Sequence, residues 1–280
     1  MKTIDGEKIA SCILTKIKKT VSQEKLKPKL GAILAGNNPV SLTYIRQKEK
    51  ACKKTGIDFS LFQFPANIKS SKLESEVRKI SSRLSGIIIQ LPLPFGMKDQ
   101  AILNAIPEGK DIDVLSSLSL GKFYAGDVNR AGFTPIPPIV KAISIILNEE
   151  KIILKGKYVV VVGFGRLVGK PLSFWLMSQG ATVSVLNEHT SDMSIFTRQA
   201  DILFSGVGIP GLINGKMVKK GSMVVDTGTS IESGSSRGDI DFKSVSLKAG
   251  IVVPVPGGVG PVTTACLIEN LVELSLKNKK

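Results

Sequence analysis

Two side chains that could handle protons stand four residues apart in Ser41–Lys54, a segment that the sequence predicts to be a helix. They are Tyr44 and Lys48, and this spacing places both on one helix face. Ser41 is a suitable N-cap and Gly56 a suitable end for the helix. A lysine partly removed from water has a lowered pKa and can accept a proton near neutral pH. Taken alone, Lys48 also fits a solvated charge run formed with Lys50, Lys53 and Lys54.

A glutamine ends an apolar run, Gly86–Gln90, that predicts a buried strand. The chain continues with Leu91-Pro92-Leu93-Pro94, which cannot extend the strand. Parallel sheets bind ligands at the carboxyl ends of their strands, and Gln90 would lie there. A strand-end glutamine that is hydrogen-bonded to its own loop fits the position equally well.

Charged residues follow the next predicted helix, Lys98–Ile106, in the string Pro107-Glu108-Gly109-Lys110-Asp111-Ile112-Asp113. A carboxylate accepts two parallel N–H bonds, so it is a good partner for an amino-pyrimidinone ring. The alternative interpretation is a charged surface turn.

Glycines recur after a third predicted strand, Tyr158–Val162, in Gly163-Phe164-Gly165-Arg166-Leu167-Val168-Gly169-Lys170-Pro171. A glycine-rich turn before a helix suits a phosphate-bearing ligand, because the N–H groups of the helix N-terminus point at it. This pattern is one residue longer than the common dinucleotide fingerprint, so alone it is a weak signal.

A second glycine-rich segment, Val253–Thr264, holds three glycines and three prolines within eight residues. Such a segment is neither a helix nor a central strand. Glycine permits close approach of the backbone to a ligand, whereas the alternative is a tight strand-to-helix turn. Pro261 suits the first position of a final helix.

Together these strings resemble the signatures of the bifunctional methylenetetrahydrofolate dehydrogenase/cyclohydrolase family, in the family's order and over about residues 1–275. The strongest matches are Q-L-P-L-P at Gln90–Pro94 and P-V-P-G-G-V-G-P-V-T at Pro254–Thr263. The segments Gly36–Lys48 and Lys110–Asp113 resemble two further family signatures. The resemblance implies oxidation of 5,10-methylenetetrahydrofolate with NAD(P), followed by hydrolysis to 10-formyltetrahydrofolate.

The resemblance also implies roles for individual residues. It assigns catalysis to Tyr44, Lys48, Gln90 and Asp113. In that assignment Gln90 contacts the lysine and the substrate, and Asp113 binds the pterin ring. The implied substrate site contains Tyr44, Gln90, Leu91, Pro92, Asp113, Pro256, Gly257 and Gly258. The implied cofactor site contains Gly163, Phe164, Gly165, Arg166, Glu188 and Thr229.

Several positions depart from the family's pattern. In the glycine-rich loop Phe164 replaces the family's arginine and Gly165 its serine. In the predicted folate site Val114 stands where the family has glycine, while Asp113 is kept.

The largest departure concerns the choice of cofactor. Asn187-Glu188-His189-Thr190 stands where the family has a His-Ser pair, so His189 is predicted to be a surface residue. Glu188 lies some twenty-odd positions after the first glycine, and an acid there favours a ribose 2′-hydroxyl and repels a 2′-phosphate. Phe164 and Glu188 therefore slightly favour NAD, whereas the family resemblance implies NADP and Arg166 could still bind the phosphate.

Apolar runs alternate with amphipathic segments in two blocks, which predicts an α/β fold with parallel sheets. We expect two α/β domains with a cleft between them, the second a Rossmann-like dinucleotide-binding domain. The predicted folate-binding domain covers 1–137 and is completed by a C-terminal helix at 261–280, as the resemblance implies. The predicted cofactor domain covers 138–260. Ile231–Asp239, rich in Ser and Gly, is predicted to be a surface loop.

Composition limits the other functional classes. The net charge of +15 would suit nucleic-acid binding, but the basic residues are dispersed and only 5% of residues are aromatic. A basic nucleic-acid-binding protein is therefore kept only as an alternative, beside a family member with just one of the two activities. Cys12, Cys52 and Cys266 lack the spacing of metal ligands, so no metal site is expected.

No apolar run reaches the ~18 residues of a membrane span, and the N-terminal residues lack the apolar segment of a signal peptide. We therefore expect a cytoplasmic enzyme without a membrane or nucleic-acid partner. The family resemblance implies a homodimer that acts on tetrahydrofolate derivatives.

Overall fold

The computed structural model describes residues 1–126, 135–232 and 235–279. The chain divides into two compact units. Unit 1 holds Met1–Ala10 and Ile139–Thr263, and unit 2 holds Ser11–Pro138 and Thr264–Lys280. Each unit therefore combines two segments that are far apart in the sequence.

In the part of unit 2 that the structure describes, the sheet has three parallel strands in the order β3-β2-β4. The strands are β2 (Lys29–Ala35), β3 (Asp58–Phe64) and β4 (Gly86–Ile89). All residues of β4 are buried, as expected for a parallel strand covered on both faces. The helices of this part of the chain are α2 (Pro39–Thr55), α3 (Ser70–Ser81), α4 (Asp99–Leu103) and α5 (Ser117–Tyr124).

Unit 1 is built on a six-stranded parallel sheet of order β1-β11-β8-β7-β5-β6 in the described residues. Its strands are β1 (Lys2–Thr3), β5 (Tyr158–Val162), β6 (Thr182–Leu186), β7 (Ile202–Ser205), β8 (Met223–Asp226) and β11 (Ile251–Val253). Strand β5 pairs with β6 on one side and with β7 on the other, so the direction of winding reverses at β5. This reversal is the topological switch point of a Rossmann-like sheet. The predicted α/β class is confirmed.

The helices of this second block are α6 (Pro138–Glu149), α7 (Gly169–Ser178), α8 (Ser194–Thr197) and α9 (Phe242–Val245). The chain passes between the units at three points, which lie in α6 and in two longer helices, α1 (Gly6–Gln23) and α10 (Val259–Lys277). By length and composition alone, helix α10 could cross a membrane. Buried core helices share this property, and Leu267, Ile268 and Leu271 of α10 are buried.

Several predicted boundaries are wrong by a few residues. Helix α2 begins earlier than predicted, because Asn38 rather than Ser41 is its N-cap. The Asn38 side chain accepts hydrogen bonds from the N–H groups of Val40 and Ser41, at 2.9 and 3.2 Å. Gly56 ends the helix with a φ of 74°, as predicted. Helix α10 begins at Val259 instead of Pro261, and Lys280, in the predicted helix 261–280, lies outside the described residues.

Two further predictions need correction. The predicted surface loop 231–239 contains parts of an antiparallel pair, β9 (Ser230–Glu232) and β10 (Ser235–Arg237), and its residues 233 and 234 lie outside the described residues. The N-terminal residues were predicted to belong with the folate-binding domain. Strand β1 instead pairs with β11 through Lys2↔Ile251, and Met1–Ala10 belongs to unit 1.

Candidate active site

Lys48 does not lie in the solvated lysine run of its own helix. It is half-buried, whereas Lys50, Lys53 and Lys54 are exposed. The reason is the packing of α2, in which Ile45 and Cys52 are 2% and 0% exposed and turn one helix face inward. Tyr44, one turn before Lys48, is also half-buried. The spacing of four residues therefore places both side chains at the edge of the buried face.

Gln90 follows β4 directly and joins the lysine. The Lys48 ammonium donates a hydrogen bond of 2.9 Å to the Gln90 Oε1. The Gln90 Nε2 donates to the Leu91 carbonyl oxygen at 2.8 Å. An ammonium can only donate and a carbonyl can only accept, so the two partners fix the orientation of the amide. Gln90 is thus bonded to its own loop and also to Lys48, while Leu91 is half-buried and Pro92 exposed beside it.

The charges of Asp113 and Lys48 affect each other's pKa. Burial lowers the pKa of Lys48 below the ordinary lysine value, and the charge of the Asp113 carboxylate raises it part of the way back. Burial also raises the pKa of Asp113, an effect that the Lys48 charge opposes and the Asp111 charge reinforces. Lys48 therefore loses its proton more readily than a free lysine, and the half-buried Asp113 keeps its proton more readily than a free aspartate.

The turn that presents Asp113 is held from two directions. The buried Asp111 carboxylate accepts N–H bonds from Leu115 and Ser116 at 3.1 and 2.8 Å. On the other side of Asp113, the Asn270 side chain of α10 donates to the Ile112 carbonyl oxygen at 2.9 Å. These contacts fix the backbone on both sides of Asp113.

The residue after Asp113 carries a conformational cost. Val114, which stands where the family has glycine, has a φ of 58°, a left-handed conformation that costs roughly 1–2 kcal/mol for a residue with a Cβ. The Val114 side chain is only 1% exposed, and full burial of a valine contributes about 1.5–3 kcal/mol. Burial of the Val114 side chain thus offsets the conformational cost of the turn.

The glycine-rich loop follows β5 in unit 1 and is tightly packed. Gly163 has a φ of 101°, and a Cβ at this position would lie 2.8 Å from the Gly206 carbonyl oxygen. A Cβ at Gly169, where α7 begins, would lie 2.1 Å from the Gly163 carbonyl oxygen. A Cβ at Gly165 would meet no atom within 4 Å. The loop therefore packs closely against the sheet yet leaves open space over Gly165, as a phosphate-binding turn requires.

The remaining cofactor candidates lie at the same edge of the sheet. Phe164 is exposed and Arg166 half-buried in the loop after β5. Glu188 follows β6 and Thr229 follows β8, and both are exposed. All three strands are parallel, so their carboxyl ends lie at one edge. His189 is a surface residue as predicted, with its side chain 85% exposed.

The predicted substrate residues Pro256, Gly257 and Gly258 belong to unit 1. The other predicted substrate residues belong to unit 2. Gly257 has a φ of 88°, and its carbonyl oxygen accepts a 2.8 Å hydrogen bond from the N–H of Gly6. A Cβ at Gly258 would lie 2.2 Å from the Pro254 carbonyl oxygen. Glycine is therefore required here for the loop's own path.

Sequence reasoning missed two residues of these sites. Lys170 places its Nζ 5.4 Å from the centroid of the Phe164 ring, which adds a cation beside the aromatic side chain. Asp111 holds the turn that presents Asp113. It is the first aspartate of the K-D-I-D string, so its position in that string could have indicated a role. Across residues 1–126, 135–232 and 235–279, no group of three or more His, Cys, Asp or Glu side chains is arranged to hold a metal ion.

Comparison with known proteins identifies the family to which both parts of the chain belong. The family description "Tetrahydrofolate dehydrogenase/cyclohydrolase, catalytic domain" matches residues 4–113, and the description "Tetrahydrofolate dehydrogenase/cyclohydrolase, NAD(P)-binding domain" matches residues 137–279. The chain belongs to the tetrahydrofolate dehydrogenase/cyclohydrolase family. The resemblance inferred from the signature strings is confirmed.

Individual members of the tetrahydrofolate dehydrogenase/cyclohydrolase family match over almost the whole chain. A relative named bifunctional protein FolD, from Hydrogenobaculum sp. (strain Y04AAS1), is 40% identical over 272 residues, which cover 96% of this chain and 97% of the relative. The crystal structure of the bifunctional enzyme FolD-methylenetetrahydrofolate dehydrogenase/cyclohydrolase from Campylobacter jejuni has a TM-score of 0.93 at 36% identity, covering 100% of both chains.

A third family member was solved with a cofactor. The Trypanosoma brucei N5,N10-methylenetetrahydrofolate dehydrogenase-cyclohydrolase, in complex with NADP and an inhibitor, has a TM-score of 0.93 at 32% identity. The alignment covers 99% of this chain and 98% of that one. The Rossmann-like character predicted for the second block agrees with these family members and with the strand order of unit 1.

The contact between Lys48 and Gln90 leads to a prediction for the protein without ligands. Gln90→Glu places a carboxylate beside the Lys48 ammonium, and an opposite charge this close stabilises the charged form. We expect the Lys48 pKa, followed by NMR titration, to rise above that of the parental protein.

The matched control is Gln23→Glu, the same change at an exposed position at the end of α1. It should leave the Lys48 titration unchanged. Identical Lys48 titrations in the parental protein and in Gln90→Glu would contradict the hydrogen bond as described.

Proposed function

We propose that this chain oxidises 5,10-methylenetetrahydrofolate to 5,10-methenyltetrahydrofolate with NAD(P)⁺ and then hydrolyses the product to 10-formyltetrahydrofolate. Membership of the family in both of its parts supports the two activities. The observation that carries the proposal is the hydrogen bond from Lys48 to Gln90 beside Asp113. This bond joins two family-like segments, Gly36–Lys48 and Gln90–Pro94, and its donor is a lysine with a lowered pKa.

We assign to Lys48 the proton transfers of the hydrolytic step. Water adds through its oxygen to the methenyl carbon, and its proton passes to the neutral amine of Lys48. The hydroxyl of this adduct then loses its proton as the bond between the carbon and N5 breaks, N5 takes up one proton, and the formyl group remains on N10. A lowered pKa leaves more of the lysine neutral near pH 7, so it can act as a base. Gln90 fixes the amine by accepting its hydrogen bond.

We assign folate binding to Asp113, Tyr44 and the loop from Gln90 to Pro92. A carboxylate at Asp113 would accept two N–H bonds from the amino-pyrimidinone part of the pterin. Ligand N–H donors stabilise the ionised form, so binding should lower the raised pKa of this carboxyl. Pro256, Gly257 and Gly258 are proposed as further substrate contacts from the family resemblance.

The residues that would hold the nicotinamide cofactor fit the group. The loop Gly163–Arg166 offers tightly packed glycines and open space over Gly165, which suits the phosphates. When bound, the nicotinamide supplies the acceptor for the hydride removed from the methylene carbon. The protein's part in this step is to hold the cofactor at the carboxyl edge of the unit 1 sheet, with Glu188 and Thr229 at the ends of neighbouring strands.

We further propose a modest preference for NAD. Glu188 follows β6, the strand next to β5, where an acidic side chain binds the ribose 2′-hydroxyl and repels a 2′-phosphate. Phe164 takes the place of the family's arginine and is exposed. Lys170, at 5.4 Å from the Phe164 ring, and Arg166 supply positive charge that opposes this preference. The preference is therefore small.

The bifunctional reading is favoured over both alternatives. A basic nucleic-acid-binding protein would not require the Lys48, Gln90 and Asp113 group. A member with a single activity is separated from the bifunctional one by an assay of methenyl hydrolysis without nicotinamide. A homodimeric state and a cytoplasmic location, both implied by the family, remain parts of the proposal.

Lys48→Met should abolish the hydrolysis of methenyltetrahydrofolate while the fold persists. Methionine keeps the bulk but cannot accept a proton, and a general base typically contributes ~10²–10⁴-fold to a rate. The measurement is the spectrophotometric hydrolysis rate, with circular dichroism as the test of folding. Lys50→Met, at an exposed lysine of the same helix, is the control and should keep the parental rate. A folded Lys48→Met protein with the parental rate would exclude this role.

Asp113→Ala should weaken folate binding by about 1.5–3 kcal/mol, the contribution of a hydrogen bond to a charged group. Both activities should fall together because both use the same pterin site. Calorimetric titration with tetrahydrofolate measures the affinity. Asp58→Ala, which removes an exposed carboxylate at the start of β3, is the matched control. Unchanged affinity in Asp113→Ala would remove this aspartate from the site.

Glu188→Ser should shift the cofactor choice towards NADP. Removal of the negative charge ends the repulsion of the 2′-phosphate, and we expect the ratio of kcat/KM for NADP to that for NAD to rise about tenfold. Glu149→Ser removes an exposed carboxylate elsewhere in unit 1 and should leave the ratio unchanged. A clear NADP preference in the parental protein would show that Arg166 or Lys170 outweighs Glu188.

A further inference from the structure

Two aspartates lie completely buried at the carboxyl edge of the unit 1 sheet. Asp226 ends β8, and Asp239 follows β10; both are 0% exposed. Buried carboxylates are costly unless several donors satisfy them. Neither residue has a part in the folate or cofactor contacts proposed above, so their presence needs a separate explanation.

The Asp239 carboxylate holds the loop that follows β7. In the described residues its Oδ2 accepts from the Ser205 hydroxyl at 2.8 Å and from the Val207 N–H at 2.7 Å. Its Oδ1 accepts from the N–H groups of Gly208 and Ile209 at 2.8 and 2.9 Å. Three consecutive backbone N–H groups thus converge on one side chain. Asp239 thus holds residues 207–209, while the Gly206 N–H donates to the Val162 carbonyl oxygen at 2.9 Å.

Asp226 fixes Asp239 in turn. Its carboxylate accepts from the backbone N–H groups of Asp239 and Ile240 at 3.1 and 3.0 Å, and from Gly228 at 3.0 Å. Burial and the nearby Asp239 charge raise the pKa of Asp226 to about 6, against the effect of these N–H bonds. Asp226 thereby ties the loop after β8 to the segment that carries Asp239.

The surrounding glycines show how closely these loops pack. A Cβ at Gly228 would lie 2.0 Å from the Asp239 Oδ1, and a Cβ at Gly206 would lie 2.7 Å from the Thr227 hydroxyl. A Cβ at Gly163 would lie 2.8 Å from the Gly206 carbonyl oxygen and 3.2 Å from a Val207 methyl group. The loop held by Asp239 is therefore in direct contact with the glycine-rich loop after β5.

This contact lies at the switch point of the sheet. Strands β5 and β7 are neighbours, and the chain leaves β5 towards β6 on the opposite side. In open α/β sheets the ligand crevice forms outside the carboxyl ends of such a strand pair. The two walls of that crevice are the loop that begins at Gly163 and the loop 206–209.

We propose that Asp239 is a positioning residue for the nicotinamide cofactor, because it presets the loop 206–209 as one wall of the cofactor crevice. The inference rests on the cofactor site of the proposed function. Without the carboxylate, the N–H groups of Val207, Gly208 and Ile209 would lack their acceptor, and the loop would sample other conformations. The cofactor would then have to order the loop on binding, which lowers its affinity.

The test is Asp239→Asn, studied by calorimetric titration with NAD⁺ and NADP⁺ in the absence of folate. The amide keeps one acceptor oxygen and replaces the other with an NH₂ group, which cannot accept from the Val207 N–H or the loop N–H pair. We expect the Kd of the preferred cofactor to rise about tenfold or more. In turnover, KM for the cofactor should rise while kcat changes little.

Hydrolysis of methenyltetrahydrofolate without nicotinamide should stay at the parental rate, because Lys48, Gln90 and Asp113 lie in unit 2. This readout separates positioning from a general loss of structure. The matched control is Asp241→Asn, an exposed aspartate two residues on whose carboxylate accepts from the Ser244 hydroxyl. It should bind the cofactor like the parental protein.

A gentler second variant, Ser205→Ala, removes one of the donors to Asp239 without changing the charge. It should raise the Kd about threefold, the effect of one ordinary hydrogen bond. If Asp239→Asn folds and binds the cofactor with the parental affinity, the inference is overturned. If Asp239→Asn does not fold, parental affinity in Ser205→Ala overturns it instead. Equal losses of cofactor affinity and of hydrolysis would also overturn it. If the parental protein binds neither NAD⁺ nor NADP⁺, the dehydrogenase activity in the proposed function is contradicted. The present inference then fails as well.

Discussion

The parallel pairing of the strands is the constraint on which both candidate sites depend. Strands of a parallel sheet end at the same edge, so the loops that follow them are brought together however far apart they lie in the sequence. In unit 2 this places Gln90 at the end of β4. In unit 1 it gathers the loops after β5, β6, β7 and β8. Gln90 and the glycine-rich loop thus lie at strand ends, while strands β4 and β7 are fully buried.

The sequence could predict whatever depends on local patterns. The apolar run before Gln90 and the glycines after Tyr158–Val162 identified the strands and their functional ends. The spacing of Tyr44 and Lys48 placed both on one helix face, but only the packing of α2 shows that this face is partly buried. Pairings between distant residues could not be read in this way. Asp239 bonds to Ser205, and Asn270 bonds to Ile112, without any periodicity that links them.

Lys48, Asp239 and Asp226 are buried or half-buried charged groups, and removing a charge from water costs free energy. Each of the three has a different set of partners that offsets this cost. Lys48 has one amide acceptor and one nearby carboxylate, and its pKa falls. Asp239 has a hydroxyl and three backbone N–H donors. Asp226 has three backbone donors but also a neighbouring negative charge, and its pKa rises to about 6. In the described residues, the lysine that we propose to exchange protons thus has few partners, whereas a carboxylate that holds backbone is surrounded by donors.

The division of the chain has a consequence for its synthesis. Strand β1 is made first, yet it pairs with β11, which is made only after almost all of unit 1. The first part of unit 2, Ser11–Pro138, must likewise wait for Thr264 and the residues after it, although the whole of Ile139–Thr263 lies between. On the ribosome neither unit can be completed before the other is nearly finished, since domains fold in order of emergence only when their residues are contiguous. The buried residues of helix α10 in unit 2, Leu267, Ile268 and Leu271, are therefore made only after the whole of unit 1.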